Sequence, residues 1–110
     1  MDVAKVTAYM ANNQGTQLKD IYGVNQMKGS RLPLVQVPTT AGTGSEVTQI
    51  CILTTGAASK MGIVGPQNLP DWAVLDGNLT LTVPKNITAY TGVDAMVHAI
   101  EGYTSKFRKN

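Results

Sequence analysis

From Leu32 to Val37 the chain reads LPLVQV, apolar and β-branched, and it runs directly into PTTAGTGSE at 38–46, a loop built almost entirely from small residues. A buried strand that empties into such a loop is the arrangement from which α/β proteins bind ligands, at the carboxyl ends of their strands. Three threonines, two glycines and a serine offer hydroxyls and unobstructed backbone N–H groups to an anion such as a phosphate. The loop lacks the Gly-Lys-Ser/Thr ending of a P-loop and is not a GxGxxG dinucleotide fingerprint. On composition alone, a plain turn between strands fits it equally. Lys60, one β-turn downstream, would add a positive charge to the same ligand, or stand as an exposed lysine on a hairpin.

The remaining pattern is strand-rich first and helical last. Asp2 to Met10, DVAKVTAYM, spaces Val3, Val6 and Met10 as a short helix closed by Asn12, Asn13 and Gly15. A helical turn is expected around Leu18 to Tyr22. Val47 to Leu53 alternates as a strand, 55–59 turns, and Lys60 to Val64 returns as the second arm of a hairpin. Asp71 to Asp76, DWAVLD, is a further short strand. Pro84 opens helical sequence, with a short turn at 86–90 and Gly92 preceding a longer helix. The change of character between Asn78 and Pro84 divides the chain into 1–80 and 81–110.

That longer helix, GVDAMVHAIEGYTSK at 92–106, places Asp94 and His98 one turn apart. With Glu101 they occupy a stripe of roughly 60°, the rest being mostly apolar. A water-facing polar stripe is one reading; half of a metal site is the other. A catalytic metal takes about three protein ligands, and His98 is the only histidine. A site here therefore needs Glu101, another carboxylate such as Glu46, or ligands beyond Asn110.

Composition excludes little: 110 residues, 43% hydrophobic and 15% charged, suit one small globular domain. The net charge of +2 resides in Lys106, Arg108 and Lys109; without them six basic residues face seven acidic ones. No basic stripe with interleaved aromatics suggests nucleic acid. Cys51 is the only cysteine and sits in the apolar run QICIL, as a buried structural thiol does. No secretory h-region or membrane span is visible, and a cytoplasmic location is the expectation.

Three stretches taken in order carry a family resemblance: LPLVQVPTTAGTGSEVT at 32–48, the region from Lys60 through NLPDWAVLDGNLTLTVP to Pro84, and YTGVDAMVHAIEGY at 90–103. Together they resemble the iron-activated, group III alcohol dehydrogenases, and DVAK at 2–5 is similar to the end of that family's GGGSxxDxAK element. The resemblance implies an α/β fold of dehydroquinate synthase-like architecture, cut at both ends. The end of a dinucleotide-binding α/β domain with a β-hairpin, at 1–80, would run into the start of an all-helical metal-binding domain at 81–110. It implies NAD or NADP as cofactor, touched by Asp2, Thr39, Thr40, Gly42, Thr43, Lys60 and Leu79. It also implies Fe²⁺, with Zn²⁺ or Mn²⁺ as alternatives, held by Asp94 and His98 with two later histidines. The chain has DGNLT at 76–80 where family members often read DPxLT, a departure confined to a turn.

The implied function is interconversion of an alcohol and an aldehyde or ketone by hydride transfer, with a small-molecule substrate, no nucleic acid, no membrane and a homo-oligomeric full-length protein. An Asp oxygen with a His nitrogen suits a transition metal rather than Mg²⁺ or Ca²⁺, and apart from His98 no residue offers itself as a general acid or base. The competing readings are a non-catalytic remnant of the same fold and a glycerol dehydrogenase-like enzyme with another substrate. As part of the alcohol dehydrogenase, the isolated 110 residues are expected to be inactive.

Overall fold

A computed structural model describes residues 1–56 and 58–107. The fold is mixed α/β and divides into two compact units. One comprises Met1–Val37 with Ser45–Val74; the other comprises Pro38–Gly44 with Leu75–Asn110.

In the first unit, helix α1 spans Asp2–Asn12 and buries Lys5, Val6, Ala8 and Tyr9 at i, i+3, i+4 spacing; of the expected Val3, Val6 and Met10 only Val6 is buried, and Val3 is exposed. Asn13 ends it by donating its side-chain amide to the Tyr9 carbonyl at 2.8 Å and to Ser30 O at 2.7 Å. A 3₁₀ turn at Leu18–Ile21 follows, closed by a reciprocal cap between Gln17 and Asp20. Strand β1 (Gly23–Val24) pairs in parallel with β4 (Ser59–Val64), which pairs antiparallel with β3 (Ile50–Thr55), giving the order β1-β4-β3. The hairpin falls where alternation placed it, with Gly56 at φ 63° in its turn. The strand expected from Val47 begins later, because Ser45–Val47 forms a 3₁₀ turn. β1 has no alternation to announce it; only its place beside β4 makes it a strand.

The LPLVQV run departs from expectation. Only Val35–Gln36 (β2) is strand, paired in parallel with Trp72–Ala73 (β5) inside DWAVLD. Pro33 and Pro38 bracket it and donate no N–H, while the Leu34 N–H is taken by Asp71 Oδ2 at 2.7 Å. Alternation then turns Leu34 and Gln36 inward and leaves Val35 and Val37 about half exposed. The buried strand residue is a glutamine, not a valine. Arg31 tightens this corner, donating to Gln67 O, Leu32 O, Leu69 O and Asp71 Oδ2. That hydrogen bond from Arg31, with the Leu34 N–H, holds the Asp71 carboxyl below its usual range.

The core consists of Val6, Tyr9, Ile21, Met27, Cys51 and Ile63. Tyr9 brings a hydroxyl into it and satisfies it twice, donating to Lys28 O at 2.8 Å and accepting from Lys28 N at 2.9 Å. Beside the core, Lys5 is fully buried, its ammonium donating to Ser45 O, Thr48 O, Thr48 Oγ1 and Ile50 O at 2.6–3.2 Å.

In the second unit, α2 runs unbroken over Lys85–Thr104. Gly92 therefore does not separate a short turn from a longer helix; a single glycine costs a helix about 1 kcal/mol, too little to interrupt twenty residues. A 3₁₀ turn at Gly77–Thr80 precedes α2, capped by Asp76 Oδ1 accepting from Asn78 N at 2.9 Å, so DGNLT forms its turn without the proline. No residue of α2 is buried. Lys106 is exposed, and Arg108 and Lys109 of the basic tail lie outside the described residues. Among the described residues no helix is long and apolar enough to cross a membrane.

Cys51 is fully buried, donates its thiol to Asp2 O at 3.3 Å, and is pushed up to about 11 by burial and then by the Asp2 carboxylate. A thiol raised above its unfolded value of 9.0 contributes stability that is complete below that value and declines as pH rises toward 11. Lys5, lowered from 10.5 chiefly by burial, acts oppositely, gaining stability as pH rises toward 10.5. Urea midpoints of the chain and of Cys51→Ala, compared between pH 8 and 11, isolate the thiol: their difference should shrink with pH. Iodoacetamide at pH 8 should modify Cys51 only after unfolding.

Candidate functional site

Pro38–Gly44 of the small-residue loop and α2 fall in one unit. Gly42 has φ 150°, and a Cβ built there would meet the backbone of Thr91, 2.6 Å from its carbonyl carbon and closer to its oxygen. Only glycine allows this approach. Thr91 lies one helical turn before Asp94, so the loop backbone rests against the helix that carries the proposed ligand pair. Around it Thr40 and Gly42 are half-buried, while Thr39, Thr43 and Leu79 are exposed.

On α2, His98 Nε2 and Asp94 Oδ1 lie 3.8 Å apart, their side chains about half exposed. The i, i+4 register makes this pairing a local property of the helix. Two ligands each about 2.1 Å from one ion would approach slightly closer, which side-chain rotation permits. Glu101 is exposed and completes no cluster: among the described residues no three His, Cys, Asp or Glu side chains gather where they could hold a metal. The donor pair fits half a metal site.

Asp2 and Lys60 belong to the other unit. Asp2 is committed there, accepting Ser45 Oγ at 2.8 Å and Ile52 N at 2.8 Å with its two carboxylate oxygens. Lys60 is exposed on β4. Sequence reading passed over Lys5 and Thr48. Nothing in the spacing of α1, which also carries Asp2, Thr7 and Asn12, sets Lys5 apart as buried.

The family model for "Iron-containing alcohol dehydrogenase" matches residues 1–77. The chain belongs to the iron-containing alcohol dehydrogenase family. Asp94 and His98 lie beyond that match, yet relatives align through them. A probable alcohol dehydrogenase of Salmonella typhimurium, EutG, is 40% identical over 106 residues, 96% of this chain and 27% of that protein. The NAD-dependent methanol dehydrogenase of Bacillus methanolicus is 39% identical over 106 residues, 96% of this chain and 28% of its own. Among solved structures, sulfoacetaldehyde reductase from Bifidobacterium kashiwanohense in complex with NAD⁺ superposes with a TM-score of 0.90 at 40% identity, over 99% of this chain and 29% of that one. The chain thus spans little more than a quarter of the family members it matches.

Gly42→Ala should lower the urea midpoint by the equivalent of about 2–4 kcal/mol, since backbone meets the new methyl on a strained φ. Gly44→Ala, at φ 63° with open space around it, should cost about 1 kcal/mol. Circular dichroism at 222 nm across a urea series measures both; equal costs would remove the special role of the Gly42–Thr91 approach.

Proposed function

We propose that this chain is part of an NAD(P)-dependent, divalent-metal-dependent alcohol dehydrogenase. The observation that carries the reading is the Asp94/His98 pair, one turn beyond the point where Gly42 of the threonine-glycine loop lies against α2. Residues 1–80 are proposed as the end of the dinucleotide-binding domain and 81–110 as the start of the helical metal-binding domain. The substrate class is a small alcohol with its aldehyde or ketone, and the full-length protein is proposed to be a cytoplasmic homo-oligomer.

In this reading Asp94 and His98 are two of the metal's protein ligands. When bound, a divalent transition metal acts as a Lewis acid on the substrate oxygen. Asp94 supplies an anionic oxygen and His98 a neutral nitrogen, a set suited to Fe²⁺, Zn²⁺ or Mn²⁺. Thr39, Thr40 and Thr43, with the backbone at Gly42, would receive the cofactor, Thr91 fixing the loop's path at Gly42. Asp2 would contribute by ordering Ser45 and the Ile52 amide. Lys60 and the backbone at Leu79 are proposed as further cofactor contacts.

Equilibrium dialysis against Zn²⁺ and, anaerobically, Fe²⁺ tests the ligand pair. Asp94→Ala and His98→Ala should each weaken metal retention at least about tenfold, a loss of about 1.4 kcal/mol, whereas Glu101→Ala should not; unchanged retention in both ligand variants would refute the assignment. With metal, NAD⁺ and a short primary alcohol, the 110-residue chain should show little or no absorbance change at 340 nm, because its described residues bring together only two ligands. Robust turnover would overturn that expectation.

A further inference from the structure

Lys5 is a charged side chain with no exposed surface, whereas the other lysines among the described residues reach water. Its ammonium faces four oxygens: Ser45 O at 2.6 Å, Ile50 O at 2.8 Å, Thr48 O at 3.0 Å and Thr48 Oγ1 at 3.2 Å. All four come from residues 45–50, a segment that begins with the last two residues of the small-residue loop. Three are backbone carbonyls; Ser45 O also accepts from Thr48 N at 3.3 Å, and the ammonium adds a charged donor to each of the three. An oxygen-lined cage of this kind suits a small monovalent cation, and the lysine supplies one covalently. The Asp2 carboxylate works beside it on the same segment, through Ser45 Oγ and Ile52 N.

We propose that Lys5 is a positioning residue, a resident cation whose ammonium fills the oxygen cage at 45–50 and so sets where the small-residue loop ends. The effect on cofactor binding rests on the reading of that loop as a cofactor loop; the cage itself does not. Cationic charge and N–H donors are both required, so the head group, rather than the volume of the side chain, orders the segment.

Chemical rescue tests this in the 110-residue chain. Lys5→Ala removes three methylenes and the ammonium, the atoms of n-propylammonium. Hydrogen exchange followed by mass spectrometry should show residues 45–50 exchanging at least about tenfold faster in this variant, with β4 still protected. Added n-propylammonium should restore protection; tetramethylammonium, a cation without N–H donors, and n-propanol, a neutral molecule of similar length, should not. Equal rescue by n-propanol would make Lys5 a space-filling residue and overturn the proposal. If Lys5→Ala is unfolded, refolding by n-propylammonium alone supports the proposal, and failure of all three additives counts against it. Lys5→Met keeps the stem without the charge and should show the same loss at 45–50; exchange like that of the unaltered chain would overturn the proposal. NADH fluorescence titration gives the functional arm: affinity should fall in Lys5→Met and recover with n-propylammonium in Lys5→Ala. Absence of NADH binding by the unaltered chain would count against the cofactor reading alone, the exchange result still deciding the cage.

Discussion

A buried ammonium organises the first unit. Taking a lysine head group out of water costs several kcal/mol, and the cost is tolerable at Lys5 because its donors meet oxygens of Ser45, Thr48 and Ile50. Those contacts tie the first turn of α1 to the segment entering β3. Asp2, one turn earlier, adds two hydrogen bonds to the same segment. Apolar packing of Val6 and Tyr9 against Ile63 and Met27 supplies non-directional attraction; the polar contacts determine which residues of 45–52 face the helix. Cys51 lies where the two kinds of contact meet, buried in the core while its thiol reaches the Asp2 carbonyl.

The second unit is organised differently. α2 buries no residue, and Val93, Met96, Val97, Ile100 and Tyr103 are exposed along it. Its backbone ladder is that of an α-helix, so the Asp94–His98 spacing holds independently of what packs on those apolar side chains. Among the described glycines of this unit, Gly42 alone lies with its backbone so close to another segment, at Thr91. It joins the two sequence features that first suggested function, the small-residue loop and the ligand pair.

Relatives of the chain include enzymes named for methanol, for choline and for sulfoacetaldehyde. These molecules differ in size and charge and share a hydroxyl or carbonyl carbon. In the proposed reading the small-residue loop receives the cofactor and the Asp94/His98 pair the metal, features that the differences among these molecules do not touch.

Local spacing was enough to read α1, the β3–β4 hairpin, the helical character of residues 85–104 and the Asp94/His98 register, because helical and strand periodicities are properties of neighbouring residues. The small-residue composition of 38–46 was legible too, although composition alone fitted a plain turn as well as a ligand loop. Three features were decided only in the tertiary structure. LPLVQV shrank to a two-residue strand because prolines and the Asp71 carboxylate remove the N–H groups a longer ladder needs. Gly42 acquired its necessity from a carbonyl 49 positions away in the chain. Lys5, an ordinary surface residue by type, became a buried cation because four oxygens more than 39 residues distant converge on it. Sequence periodicity records which face of an element is apolar; which polar groups that face must satisfy depends on chain segments it meets only on folding.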